Sequence, residues 1–320
     1  MKGLVLSHPR AVAGRRFHVG WRRGLVALAL VAVLALIAVV GISVYVDKQL
    51  THPDRNYPPQ TPGAGLAYDN VQFKSGLGGV LLSGWFLPSG QSTRTVIIAH
   101  GYAQYRLEEG PSTPMARVLV QHGFNVLTFD FRGCGLSQGA QVTLGRDEQY
   151  DVLGAVDYLK QRFVGQHIQI GILGISTGGT ASLLAGNRDQ AAIRAIATDS
   201  PIAQLYPYLV DYANRFTRLP AIPFNQVIAW LAPIVNGVDA HEVDAVAAVQ
   251  HMPNTPLLLI AGTADDKIPY AESVKLYNAA ATAHKQLWLV PGGGHTSSYK
   301  QQPQAYEQRV LAFFSQYLSS

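Results

Sequence analysis

Cysteine occurs once in the 320 residues, at Cys134. One thiol cannot form an internal disulfide or supply a cysteine-rich metal site. Charge is also scarce: Asp, Glu, Lys and Arg make up 14% of the chain, against 48% hydrophobic residues. That balance excludes wholesale disorder and supplies a sizeable core. Acidic residues are missing altogether from positions 1–23, which hold Lys2, Arg10, Arg15, Arg16, Arg22 and Arg23. With those six of the 25 basic residues set aside, 19 remain to face 20 acidic ones, so the formal charge of +5 sits in the first 23 positions. The body of the chain is near neutral. It lacks the clustered positive field of a nucleic-acid-binding surface, and no nucleic-acid partner is expected.

One stretch lacks charge completely, from Gly24 to Val46. As a helix rising ~1.5 Å per residue it reaches roughly 35 Å, enough for a hydrocarbon core of ~30 Å. A cleaved secretory signal has an apolar region of only about 7–15 residues. Here the run continues well past Ala27-Leu28-Ala29, so an uncleaved signal anchor is expected. The segment is apolar on every face and follows a basic tail, which favours a membrane span over a buried core helix. Six basic residues precede the span and only Lys48 and Arg55 closely follow it. That bias keeps the N-terminus in the cytoplasm and sends the rest across. Residues 47–65, with Pro53, Pro58, Pro59, Pro62, Gly63 and Gly65, are expected to form a tether. The division is then a basic cytoplasmic tail at 1–23, an anchor at 24–46, a tether at 47–65 and one domain at 66–320.

Within that domain, Val71-Gln72-Phe73 and Leu81 to Leu87 predict two antiparallel strands around the turn Gly76 to Gly79. Beyond them apolar runs alternate with amphipathic ones. Strands are expected at Val96 to Ala99, Asn125 to Phe129, Ile168 to Leu173, Ile193 to Thr198, Leu257 to Ala261 and Gln286 to Val290. Helices are expected at about Thr113 to Gln121, Leu144 to Phe163, Ala271 to Ala281 and Pro303 to Tyr317. Such alternation predicts an α/β fold, a mostly parallel eight-stranded sheet with helices on both faces. Residues 202–250 break the rhythm, with Pro207, Pro220, Pro223 and Pro233 among aromatic and apolar residues, and predict a helical cap insertion. Asp130 and Arg132 are expected as a structural pair at a strand end.

The chemistry gathers at strand ends, where open α/β sheets bind ligands. Gly174-Ile175-Ser176-Thr177-Gly178 follows the strand run ending at Leu173 and precedes a run of small residues. This strand, sharp turn and helix is the setting of a nucleophile elbow. Asp265 follows the strand ending at Ala261. His295 follows the last strand, behind Gly292, Gly293 and Gly294. A serine hydroxyl is a poor nucleophile until a base takes its proton. His295 suits that task, with a carboxylate behind it to fix its tautomer. Asp265 is the leading acid, with Asp199 and Asp266 as alternatives. His100 has no serine or aspartate at suitable spacing and reads as a turn residue. Gly133-Cys134-Gly135 fails as a dinucleotide fingerprint because Gln138 stands at the third glycine, and His241-Glu242 fails as a zinc motif because Ala245 replaces the second histidine. Cys134 reads as a loop thiol, not a nucleophile. No metal or organic cofactor is indicated.

From about Leu66 onwards the chain resembles the α/β-hydrolases, in their membrane-anchored esterase-like branch (the Bem46-like and serine aminopeptidase-like group). The resemblance rests on Ser83-Gly84-Trp85-Phe86-Leu87-Pro88, His100-Gly101, Asp130 to Gly139, the elbow, Gly262 to Pro269 and Gly294-His295. It implies Ser176 as nucleophile, Asp265 as acid and His295 as base. It also implies an oxyanion hole from the backbone N–H groups of Tyr102 and Thr177. Residues 202–250 match no pattern of the branch. Their apolar and aromatic residues Leu205, Tyr206, Tyr208, Phe216, Phe224 and Trp230 are expected to line an apolar pocket.

The expected activity is hydrolysis of a small-molecule carboxylic ester or lipid-like ester through an acyl-enzyme. The rivals are a peptidase or amidase on the same residues, and a binding protein that keeps the fold without the chemistry. The expected topology has a direct test. Protease added outside intact cells releases the domain, whereas release only after lysis would reverse the orientation.

Overall fold

The computed structural model describes residues 15–63, 65–107 and 110–319, and side chains from Trp21 onwards within the first helix. Lys2 and Arg10 of the expected basic tail lie outside them. The first helix, α1, runs from Arg15 to Thr51. Its segment from Trp21 is long and apolar enough to cross a membrane. Trp21 and Tyr45, both exposed, lie near the two ends of the uncharged run.

The elements that follow are β1 (Asp69–Lys74), β2 (Leu81–Leu87), β3 (Arg94–Ala99), α2 (Ser112–Gln121), β4 (Asn125–Phe129), α3 (Glu148–Arg162), β5 (Gln169–Ile175) and α4 (Thr177–Arg188). Then come β6 (Ile193–Asp199), α5 (Leu205–Tyr212), α6 (Asn214–Thr217), α7 (Ala221–Val235), α8 (Ala245–Gln250), β7 (Leu257–Gly262), α9 (Tyr270–Ala279), β8 (Lys285–Val290), α10 (Ser298–Gln301) and α11 (Pro303–Tyr317). The eight strands form one sheet in the order β1-β2-β4-β3-β5-β6-β7-β8. β1 and β2 are antiparallel to their neighbours and the other pairs are parallel. This is the α/β-hydrolase fold.

Alternation along the strands feeds two cores. Ile97 and Ala99 of β3 pack with Val152, Val156 and Leu159 of α3 and with Ala181 of α4. Val96 and Ile98 point the other way, toward Met115 and Leu119 of α2 and Phe313 and Phe314 of α11. Since both faces are covered, the strands are apolar throughout, which is why period 2 is hard to see in them.

Four expectations are corrected. The long helix expected from Leu144 begins only at Glu148. Leu144 has φ 55°, and the Glu148 carboxylate accepts from the N–H groups of Thr143 and Gly145, 2.7 and 2.8 Å away, which holds 143–147 in a turn. Asp130 does not pair with Arg132. Its carboxylate accepts from Arg106 Nε and Nη2 at 3.1 and 2.5 Å, from Arg106 N at 2.7 Å and from Leu136 N at 2.8 Å, while Arg132 pairs with Asp151 at 2.8 Å. The insertion is also tighter than 202–250. Gln204 bridges to Asp244, Leu205 N donates to Val243 O, and α8 packs beneath on α4 and α9.

The largest departure concerns the tether. Residues 47–51 continue α1, and the helix stops only before Pro53, whose ring disfavours helical geometry in the residue before it. The final turns of α1 pack on α7. Val142 N donates to Thr51 O at 2.8 Å, Tyr102 Oη donates to Leu50 O at 2.9 Å, and Asn56 Nδ2 donates to Ala103 O at 2.9 Å. Arg55 donates to Ser137 O at 2.7 Å and to Gly139 O. The helix is therefore joined to the domain over its last turns and the residues just after them.

The Asp130 cluster can be tested by unfolding. Asp130 and Arg106 are both buried, and removing one partner of a buried pair leaves the other charge uncompensated. Asp130→Ala is expected to lower stability by about 3–5 kcal/mol in urea unfolding.

Candidate active site

Ser176 sits between the end of β5 and the start of α4 with φ 52° and ψ −121°. A non-glycine residue held there stores about 1–3 kcal/mol of strain, so its surroundings must enforce it. Ser176 N donates to Asp199 O at 2.8 Å, which locks the elbow to the end of β6. The helix can start so abruptly because its first turns carry little bulk. A Cβ at Gly178 would lie 2.3 Å from His100 O, and one at Gly174 would lie 2.6 Å from Gly179 Cα.

His295 and Asp265 come from neighbouring loops that are fastened to each other. Ala264 N donates to Gly293 O at 2.9 Å and Gly292 N to Thr263 Oγ1 at 2.9 Å. The Asp265 side chain is fully buried. Its Oδ1 accepts from Lys267 N and Ile268 N at 2.8 and 2.9 Å. Its Oδ2 lies 2.9 Å from His295 Nδ1, and His295 Nε2 lies 3.1 Å from Ser176 Oγ. A carboxylate only accepts, so Nδ1 carries the proton and the neutral ring offers Nε2 as acceptor to the serine hydroxyl.

The rival carboxylates are placed elsewhere. The Asp266 side chain is 77% exposed beside Lys267. Asp199 is buried and accepts from Ser298 Oγ at 3.1 Å and Ser200 Oγ at 3.2 Å. Burial raises its pKa to about 6, against the pull of those two hydroxyls and of the nearby His295. His100 is buried as a turn residue. Its Nδ1 donates to Gly101 O at 2.7 Å and its Nε2 accepts from Phe131 N at 2.9 Å. Burial pushes its pKa down, in keeping with a neutral ring. Cys134 is buried, and burial raises its thiol to about 12, reinforced by the Glu148 and Asp130 carboxylates. A protonated thiol of that kind is inert as a nucleophile.

A cavity of about 170 Å³ opens on Ser176 and His295. Tyr102 and Thr177 line it beside the serine, and Thr177 opens α4. The first N–H groups of a helix have no partner inside it. The rest of the wall is mainly apolar, from Leu144, Ile202, Leu205, Tyr208, Leu209, Phe216 and Ile268. Among the described residues, no Asp, Glu, Lys or Arg is part of it. Of the six residues expected in the pocket, Leu205, Tyr208 and Phe216 line it. Tyr206 stacks on His241 with ring centroids 3.9 Å apart, because on α5 it is turned away from the Leu205, Tyr208 and Leu209 face. Phe224 is half-buried on α7 outside the wall, and Trp230 points away from the domain. The i, i+3, i+4 spacing of Leu205, Tyr208 and Leu209 is the signal that finds the right face. No local signal identifies Leu50, which reaches the wall from α1.

The chain matches the prolyl oligopeptidase family over residues 112–320. It is 30% identical over 295 residues to the protein YfhR of Escherichia coli O157:H7, covering 88% of this chain and 93% of that one. It is 28% identical to YqkD of Bacillus subtilis over 233 residues, covering 72% and 74% of the two chains. Among solved structures it is similar to the Pyrococcus furiosus esterase Pf2001, with a TM-score of 0.71, 26% identity and coverage of 84% of this chain and 99% of that one. Est1E from Butyrivibrio proteoclasticus, solved with ferulic acid, shares the fold at a TM-score of 0.61 and 19% identity, over 77% of this chain and all of that one. With the elbow, the strand-end loops and the family match in agreement, the chain is a serine hydrolase of the α/β-hydrolase type and belongs to the prolyl oligopeptidase family.

Proposed function

We propose that this hydrolase cleaves carboxylic esters with an apolar acyl or aryl group, through an acyl-enzyme on Ser176. The observation that carries the reading is the chain of contacts Asp265–His295–Ser176 on the floor of a mainly apolar cavity. His295 Nε2 takes the hydroxyl proton as Ser176 Oγ attacks the ester carbonyl. The carbonyl oxygen becomes an oxyanion and receives the N–H groups of Thr177 and Tyr102, each such donor being worth about 3–4 kcal/mol. His295 then returns the proton to the leaving alcohol. Water repeats the sequence on the acyl-enzyme and releases the acid. Asp265 stays ionised and stabilises the imidazolium that forms in each half.

The anchoring belongs to the same reading: residues 24–46 cross a bilayer, residues 1–23 stay in the cytoplasm and residues 66–320 stand outside it. A peptidase reading draws on the family match. Among the described residues the wall offers no charged side chain to a peptide terminus, and its apolar lining suits an acyl or aryl group better.

A fluorophosphonate probe is expected to label the wild-type protein and not Ser176→Ala; an unlabelled, folded wild type would defeat the enzyme reading. Asp265→Asn is expected to lower turnover of short acyl esters by a factor on the order of 10⁴, through the wrong histidine tautomer. Asp199→Asn leaves that turnover largely intact, and the opposite ranking would transfer the acid role to Asp199.

Asp199 has a separate signature in stability. Its folded pKa of about 6 exceeds its ordinary value of 3.8. Between these values the folded state keeps a proton that the unfolded state has lost, so stability falls as pH rises from about 4 to about 6 and is level above. Asp199→Asn lacks this fall. Thermal unfolding across that window is expected to show the variant gaining on the wild type as pH rises.

A further inference from the structure

Nothing flexible separates the apolar run of α1 from the cavity. α1 is continuous to Thr51, and Leu50 lines the cavity that holds Ser176. Tyr45 is the exposed aromatic residue at the end of the uncharged run nearer the domain. Leu50 lies five residues beyond it, about 7.5 Å along the helix axis. If Tyr45 marks the headgroup level, as aromatic residues at span ends do, one wall of the cavity stands within a headgroup layer of the hydrocarbon.

α7 lies beside this junction. It packs on α1 on one side and on α5 on another, and it contains no charged residue. Its 15 residues, kinked at Ile222 where the backbone leaves helical geometry, are too few to cross a bilayer but suit the plane of its surface. Ile222, Trp230 and Ile234 are 79%, 64% and 71% exposed. Among the described residues past α1, no other element carries more than one large exposed apolar side chain. Phe216 connects the two features, since it is exposed at the surface and also lines the cavity. A cluster of this kind marks a contact surface. Its continuity with a helix fit to cross a membrane identifies the occupant as lipid.

We infer that Ile222, Trp230 and Ile234 of α7 sit in the headgroup–acyl boundary beside α1, and that the cavity takes its substrate, an acyl ester dissolved in the bilayer, from that boundary. The inference rests on the ester-hydrolase and anchor readings above.

Two measurements on the full chain in phosphatidylcholine vesicles test it. In the first, an environment-sensitive fluorophore is placed on Trp230→Cys in a Cys134→Ala background. The control is Val164→Cys, which is 82% exposed and precedes the amino end of β5, the sheet edge opposite Ser176. Spin-labelled lipid is expected to quench the label at 230 strongly and the label at 164 little. Equal quenching at both sites overturns the inference, as does a label at 230 shielded by a second copy of the chain and not by lipid. In the second, Ile222→Glu/Ile234→Glu is compared with the wild-type protein on two substrates. Turnover of a long-chain ester embedded in the vesicles is expected to fall by about tenfold or more, while a water-soluble butyrate ester is turned over within about twofold of wild type. Unchanged turnover of both esters, or an equal loss of both, overturns the inference. Failure of the wild-type protein to hydrolyse even the soluble ester would instead defeat the hydrolase reading on which it rests.

Discussion

The whole site depends on one close approach of backbone. β5 ends and α4 begins within a single residue, and that residue is Ser176 at φ 52°. The turn closes because Gly174 and Gly178 leave space that a side chain would fill with His100 O or with Gly179. Its cost is offset by the sheet around it. Ser176 N bonds to the end of β6, and β5 lies buried between β3 and β6. Strain of this kind persists only where packing over-determines the backbone, and the centre of a doubly covered sheet is such a place. The hydroxyl is thereby raised off the strand end toward His295.

A second constraint fixes the partners. The loops after β7 and β8 are neighbours because their strands are, and Gly262 and Gly293 let their backbones nearly touch. Asp265 and His295 are 30 residues apart in the chain, yet they are set by one pair of crossed hydrogen bonds between loops. The lower end of the site is held by Asp130 and His100, buried polar groups that bond to backbone N–H groups or carbonyls. They organise the loops after β3 and β4 and leave the chemistry to the strand-end residues.

The third constraint is how α1 enters. Tyr102 takes part in both regions: its phenol holds Leu50 O, and its residue lines the cavity next to Ser176. A helix of 37 residues fused to the rim of the cavity that holds Ser176 is a different object from a domain on a string. It ties the orientation of the site to the axis of the helix, and it places α7 where the helix emerges. Substrate access and attachment then become one geometric question.

The local elements and the order of the chemistry are legible along the chain. Strand runs with glycine-marked ends, the Gly174–Gly178 turn, and Asp265 and His295 behind later strands are all properties of neighbouring residues, because β-strands and tight turns are specified over a few positions. The sequence could not rank Asp265 above Asp199 on distance, since both follow strands and only folding shows which carboxylate reaches His295. Nor could it separate Phe216 from Tyr206, Phe224 and Trp230, because aromatic residues serve equally to pack, to line and to face outward. The tether was misread from composition. Prolines and glycines disfavour regular structure where they stand, but Asp47 to Thr51 hold none, and α7 and Tyr102 keep them helical. That Leu50 belongs to the cavity emerges with folding alone, because the contact joins residues about fifty positions apart and leaves no periodic trace in either.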